Sequence, residues 1–378
     1  MNAGMPFSAP RRWTRGPIAL ATALAGGFIM YILHLPLPWL LGPMLGVLIG
    51  SSIWPRSYYW PGSVRNAGMI VVGYTIGLSL TGAALREMGG QLPTMMLMTA
   101  LLLLLCAGLA AAVAKLSGIS YLTALMGSIP GGLTQVLALA EETKGVNLTV
   151  VTIIQVVRLM LIVVCIPLLI FSPIFGFHAS AASDAANMAA AHADWSGLWP
   201  NLPVYAAVCI ACALLGHKIR FPTAFLLAPA LGAALLQGAG VTGPALPSPF
   251  IDAAQLTIGA YVGLLLKPGG LERKLRTVSL AVMSGIGLLA CAIGLSLLLT
   301  KLHPLSLPTA LLSLAPGGMD QMGIVAHEIG ADLPSVAGYQ LFRTFFIFFA
   351  VPPLLKAIIR LASRRRDGAG AHSSDRQT

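Results

Sequence analysis

From Leu92 to Ala114 the chain carries no charged side chain. A helix needs about 20 apolar residues to cross a hydrocarbon core roughly 30 Å thick. This run meets that length. A buried helix of a soluble protein would show polar residues at helical spacing, and this one does not. The rest of the chain agrees: 57% of its 378 residues are hydrophobic and 9% charged, where soluble domains carry about 25% charged residues. The sequence describes an all-α polytopic membrane protein, with the lipid bilayer as its first partner.

The net charge of +11 does not indicate nucleic-acid binding. Lys and Arg lie in short loops and tails between apolar spans, where positive charge orients helices in the membrane. The chain divides into an N-terminal tail (1–16), a first membrane repeat (17–171), a linker rich in Ala, Ser, Asp and His (172–198), a second repeat (199–357) and a basic tail (358–378). The five cysteines all fall within apolar spans, including the Cys209-x-x-Cys212 pair. With no second pair and no neighbouring histidines for a metal site, they read as small apolar side chains.

The halves align when the sequence is shifted by 186 positions. Pro36, Leu40, Leu41, Pro43, Leu45 and Gly46 match Pro222, Leu226, Leu227, Pro229, Leu231 and Gly232. Gly73 and Gly77 match Gly259 and Gly263; Pro130, Gly131, Gly132 and Gln135 match Pro316, Gly317, Gly318 and Gln321; Glu142 matches Glu328. After a one-residue slip, Gln155, Arg158 and Pro167 match Gln340, Arg343 and Pro352. Leucine matches arise by chance in membrane sequences, but such a series of Pro, Gly, Gln, Glu and Arg does not.

Each half holds six apolar segments, near 17–34, 38–53, 66–82, 92–114, 121–140 and 149–171, then 199–216, 222–237, 252–266, 278–300, 306–326 and 335–357. If the fifth segment of each half enters and leaves on one side, five crossings remain per half and the second half is upside down. With the N-terminus cytoplasmic, every Lys and Arg outside the spans then falls inside the cell except Arg86 and Lys301. Other assignments distribute the charge less one-sidedly. The expectation is about ten transmembrane helices in two inverted five-helix repeats, each with a re-entrant Pro-Gly-Gly segment, and both termini cytoplasmic.

Those segments, Pro130-Gly131-Gly132 with Thr134 and Gln135, and Pro316-Gly317-Gly318 with Asp320 and Gln321, are the leading site candidates. Proline removes a backbone donor and pushes the preceding residue out of helix. Broken backbone at membrane depth is tolerated only inside protein or beside water. Matched interrupted segments in inverted halves point to a transporter's site. Each is followed by a Gln-x-x-Arg pair, Gln155 with Arg158 and Gln340 with Arg343, on one helix face. A guanidinium in a span needs a partner; the carboxylates in prospect are Glu141, Glu142, Asp320 and Glu328. The arginines bind a substrate anion, or they tie the broken segment to the last helix. Glu142, Asp320 and Glu328 are candidates for a coupling ion or an ion pair.

The chain has no HExxH, GxSxG, P-loop or nucleotide-binding glycine motif. Its seven histidines are scattered. The expectation is no metal, no cofactor and no catalytic residue.

The paired Pro-Gly-Gly and Gln-x-x-Arg motifs, with the element Pro38-x-Leu40-Leu41-Gly42-Pro43-x-Leu45-Gly46 and its second copy at 224–232, resemble the membrane AbrB family. The resemblance covers nearly all of 17–357 and implies a duplicated bacterial inner-membrane protein. Members carry names as regulators of gene expression and as ammonia monooxygenases, yet no residue set here suits ammonia oxidation or DNA binding. The preferred expectation is a secondary transporter of a small anionic or polar metabolite. The second is a membrane regulator acting through a partner, and the third a membrane monooxygenase. Substrate identity and homo-oligomerisation stay open.

Overall fold

The computed structural model describes residues 12–172, 201–265 and 275–350, except positions 36, 56, 131, 132, 144, 220, 222 and 348, together with residue 353. Nearly all of the linker, both tails and the basic loop at 266–274 lie outside the described residues. Among the described residues every regular element is a helix. They are α1 (Arg12–Ile32), α2 (Pro38–Ile53), α3 (Gly62–Ser79), α4 (Gly82–Ser117), α5 (Tyr121–Ser128), α6 (Leu133–Glu142), α7 (Leu148–Ile170), α8 (Asn201–Lys218), α9 (Ala224–Gly238), α10 (Ser248–Leu265), α11 (Leu275–Leu302), α12 (Leu307–Leu314) and α13 (Met319–Glu328). A last helix, α14, occupies residues 333–347. The duplication is carried element by element: Pro38 and Ala224, Gly62 and Ser248, Tyr121 and Leu307, Leu133 and Met319 open corresponding helices 186 residues apart.

Among the described residues, four helices are long and apolar enough to cross a membrane: α4, α7, α8 and the Val278–Leu302 stretch of α11. The helices α2 and α9, and α1 from Gly16, are apolar but shorter. Phe28, Leu104, Leu215, Leu235 and Met283 are each more than half exposed. Outward apolar side chains on this scale suit a lipid surface.

The helices sort into two groups. One is α1, α2, α3, α8, α9 and α10; the other is α4–α7 and α11–α13, joined by α14, whose Gly338 backs onto Met88 and Met95 of α4. Each group takes the same elements from both repeats. In the first, Gly73 and Gly77 of α3 lie against the carbonyl oxygens of Leu226 and Ala230 on α9, and Gly259 and Gly263 of α10 lie against those of Leu40 and Met44 on α2. The two crossings are equivalent at the 186-residue offset. Small residues four apart let backbones approach this closely.

Equivalent helices of the two repeats pack antiparallel. Along α3, Arg65 stacks over the Tyr261 ring with 4.6 Å to its centroid, and Gly68 meets Ala254 and Thr257. Along α4, Thr94 Oγ1 bonds His303 Nε2 at 2.8 Å, and Gly287 of α11 faces Leu109. In both pairs the residue number rises on one helix as it falls on its mate.

Between the groups lies a shared apolar core, including Leu40, Ile76, Ile162, Ile166, Leu226, Ile258, Leu311 and Met322.

Candidate functional site

The fifth segment of each half is a broken helix. α5 ends at Ser128 and α6 begins at Leu133; α12 ends at Leu314 and α13 begins at Met319. Ile129 and Ala315, the residues before the prolines, take ψ 126 in both copies, the extended backbone that a following proline imposes. The helices start alike too. Ser120 caps α5 by accepting from Thr123 N, and Ser306 caps α12 by accepting from Thr309 N.

Each broken segment doubles back on itself. Thr123 Oγ1, in the first turn of α5, accepts from Asn147 N at 3.0 Å, just before α7. Thr309 Oγ1 accepts from Asp332 N at 3.2 Å, just before α14. The chain after α6 or α13 therefore returns to where α5 or α12 began.

The Gln-x-x-Arg pairs meet these hairpins at the break. Gln155 Nε2 donates to the carbonyls of Met126 (2.8 Å) and Ile129 (3.2 Å), and Arg158 donates to Ile129 at 2.6 Å. Gln340 Nε2 donates to Leu312 (2.6 Å) and Ala315 (3.2 Å). Arg343 donates to Ala315 at 2.7 Å, Leu314 at 3.3 Å and Gly317 at 3.1 Å, and to Gln340 Oε1. Each of the four side chains is under 5% exposed. The last carbonyls of a helix have no partner within it and carry its negative dipole end. A guanidinium is the matching group. Of the two roles open from the sequence, this geometry is the tie between broken segment and last helix. It leaves the arginines' charge at the breaks, which lie close together: Ile162, one turn beyond Arg158, lies against Gly317, whose carbonyl accepts from Arg343.

The family profile described as transition state regulatory protein AbrB matches residues 39–359. The chain belongs to this AbrB family. The match takes in both broken segments and both Gln-x-x-Arg pairs. Among its relatives is YhjN of Bacillus subtilis (strain 168), named as an uncharacterized protein, 25% identical over 366 residues, 92% of this chain and 94% of the relative. Another is a protein of Escherichia coli (strain K12) provisionally named regulator AbrB, 27% identical over 347 residues, 92% of this chain and 96% of the relative.

The other predicted residues of this AbrB-family chain divide. Pro130 and Pro316 sit at the breaks, both buried. Gln321 Oε1 accepts from Gly318 N at 3.0 Å and so closes the start of α13. Gly131 and Gly132 lie outside the described residues, as do the side chains of Thr134, Gln135, Glu142 and Asp320. Glu141 is exposed. Glu328 goes to a partner the sequence did not suggest: Gln255 Nε2 donates to its Oε1 at 2.5 Å. Asp252 lies on the same face of α10, one turn before Gln255. In the first repeat the corresponding positions are Asn66 and Met69, so neither the Asp252 carboxylate nor the Gln255 amide has a counterpart there. Thr75 of α3 and His327 of α13 line a small cavity beside these groups, with room for roughly one water. The departure from the repeat at 66 and 69 was the legible signal for Asp252 and Gln255.

Proposed function

We propose that this AbrB-family membrane protein is a secondary transporter of a small anionic or polar metabolite, with its site at the two Pro-Gly-Gly breaks. One observation carries the reading: both repeats hold a broken hairpin against a buried Gln-x-x-Arg pair, with the Gln bonding two matched carbonyls and the Arg the carbonyl before the proline. Matched broken segments are the transporter signature, because they offer half-helix ends to a solute inside the bilayer.

The hairpin geometry supports re-entrant segments. Each hairpin's open end lies at the start of α7 or α14, and its break lies some eight to eleven residues along that helix. At 1.5 Å per residue the break is about 12–16 Å deep, near the middle of the core. The antiparallel packing of equivalent helices supports the inverted reading with five crossings per repeat, both termini cytoplasmic, in a bacterial inner membrane. Two helix groups, each drawing on both repeats, supply bodies that can move against each other for alternating access.

Glu328, held by Gln255 beside Asp252, is the coupling candidate. Glu328→Gln keeps the side chain's volume and its place beside Gln255 but cannot ionise. The expected result is folded protein whose flux no longer depends on an imposed pH gradient. Unchanged gradient dependence in the folded variant contradicts the assignment. The reading as a whole is tested by solute flux in proteoliposomes of purified protein. Flux for no solute across a broad panel of organic anions and polar metabolites counts against it.

The name of the Escherichia coli relative favours a second reading, a membrane regulator acting through a cytoplasmic partner. It predicts a protein captured through the basic segment Lys267 to Arg276 and lost when that segment is replaced.

A further inference from the structure

The two breaks are built from matched residues but are not equally satisfied. In the second repeat, Gln340 Oε1 accepts from Arg343, and Ser313, at the position matching Gly127, donates its Oγ to Thr309 O at 2.7 Å. In the first repeat, Gln155 Oε1 and the hydroxyl of Ser128, which stands where the second repeat has Leu314, have no hydrogen-bond partner, although each residue is 1% exposed. A third such group, Ser284 Oγ on α11, is 2% exposed. Its depth follows from the register of α11 on α7: Ala281 belongs to the cluster of Ile154 and Val157, and Gly285 faces Leu161. Ser284 therefore lies level with Arg158. Its counterpart in the first repeat is Met98.

A buried polar atom without a partner is costly, and native proteins keep few. Three such groups, on α5, on α7 at the break and on α11 at the level of Arg158, are hydrogen-bonding sites that a ligand can satisfy. An amide oxygen needs a donor, and hydroxyls can give or take one. The surrounding charge from Arg158 and Arg343 is positive, which disfavours an ammonium and favours an anion. We propose that the first-repeat break is the binding half of the site, where Ser128, Gln155 and Ser284 take the hydroxyl group of a small hydroxylated carboxylate, while the second-repeat break is a structural clamp. This rests on the transport reading and narrows its substrate class.

The test uses full-length purified protein and two matched probe pairs, malate with succinate and lactate with propionate. A ligand that binds the native state raises Tm. In at least one pair the hydroxy acid is expected to raise Tm by more than its deoxy partner. Ser128→Ala and Ser284→Ala remove groups that bond nothing in the unliganded protein, so their unliganded Tm should match or exceed wild type while the hydroxyl preference is lost. Ser313→Ala should keep the preference. The proposal is overturned if wild type shows no preference in either pair, if Ser128→Ala and Ser284→Ala melt lower without probe, or if they retain the preference. It is equally overturned if Ser313→Ala loses it. Proteoliposome flux separates the two levels. Flux of some other anion without these Tm differences sinks the site and leaves transport standing. Intact Tm differences with no flux of any solute sink transport and leave the site.

Discussion

Replacing Arg343 with alanine will unfold or severely destabilise the protein, even with no solute present. Its guanidinium satisfies the carbonyls of Leu314, Ala315 and Gly317 at the end of α12 and braces Gln340. Without it the buried Leu314 carbonyl and the half-buried Gly317 carbonyl lose the guanidinium, while the Ala315 carbonyl keeps only the bonds from Gly317 N and Gln340. Hydrogen bonds to charged groups contribute about 1.5–3 kcal/mol each, and unsatisfied buried acceptors cost a comparable amount. The expected loss is on the order of 3 kcal/mol or more, seen as a large fall in Tm or an aggregated profile on size exclusion. Arg343→Lys will recover only part of it, because an ammonium cannot span three carbonyls in the fixed fork of a guanidinium. A well-folded Arg343→Ala protein with wild-type Tm would show that the clamp is dispensable.

The second large effect concerns the helix crossings. A methyl group at Gly73 would meet the Leu226 carbonyl oxygen, and one at Gly259 would meet that of Leu40. Backbone cannot yield as a side-chain tip can, so overpacking here costs about 1–3 kcal/mol for alanine and more for larger groups. Gly73→Val and Gly259→Val should each lower Tm strongly and by similar amounts, since the crossings are equivalent. Gly108→Ala is the control. Nothing lies within 4 Å of its added carbon, and alanine in a helix interior is preferred over glycine by about 0.5–1 kcal/mol. It should leave Tm unchanged or raise it. Equal tolerance at all three positions would contradict the packing.

Much of this was legible because it depends on residues whose chemistry is hard to replace. Proline alone does not end a helix here, since Pro43, Pro93, Pro167 and Pro229 lie inside helices; it is proline followed by two glycines, at 130–132 and 316–318, that let the breaks be placed from sequence. The 186-residue offset fixed which elements correspond. Gly73-x-x-x-Gly77 and its copy were matched as repeats, but their partners Leu226 and Leu40 were out of reach, because sequence spacing does not say which backbone a glycine faces. The role of Arg158 and Arg343 stayed divided between anion and tie for the same reason: a buried guanidinium demands acceptors, and backbone carbonyls leave no mark in the sequence. Thr123 and Thr309, which close the hairpins, carried no sequence signal beyond their matched positions. Gln255 was missed as the partner of Glu328, although its replacement of Met69 in an apolar helix was visible.

The inverted duplication is tested most directly by Lys115 and Lys301, exposed residues that end α4 and α11 at equivalent places. Each is changed to cysteine in a protein whose five native cysteines are replaced by alanine, and labelled in intact cells with a thiol reagent that cannot cross the membrane. The inverted arrangement predicts labelling at position 301 from outside and at position 115 only after the cells are opened. Labelling of both positions from the same side would contradict it.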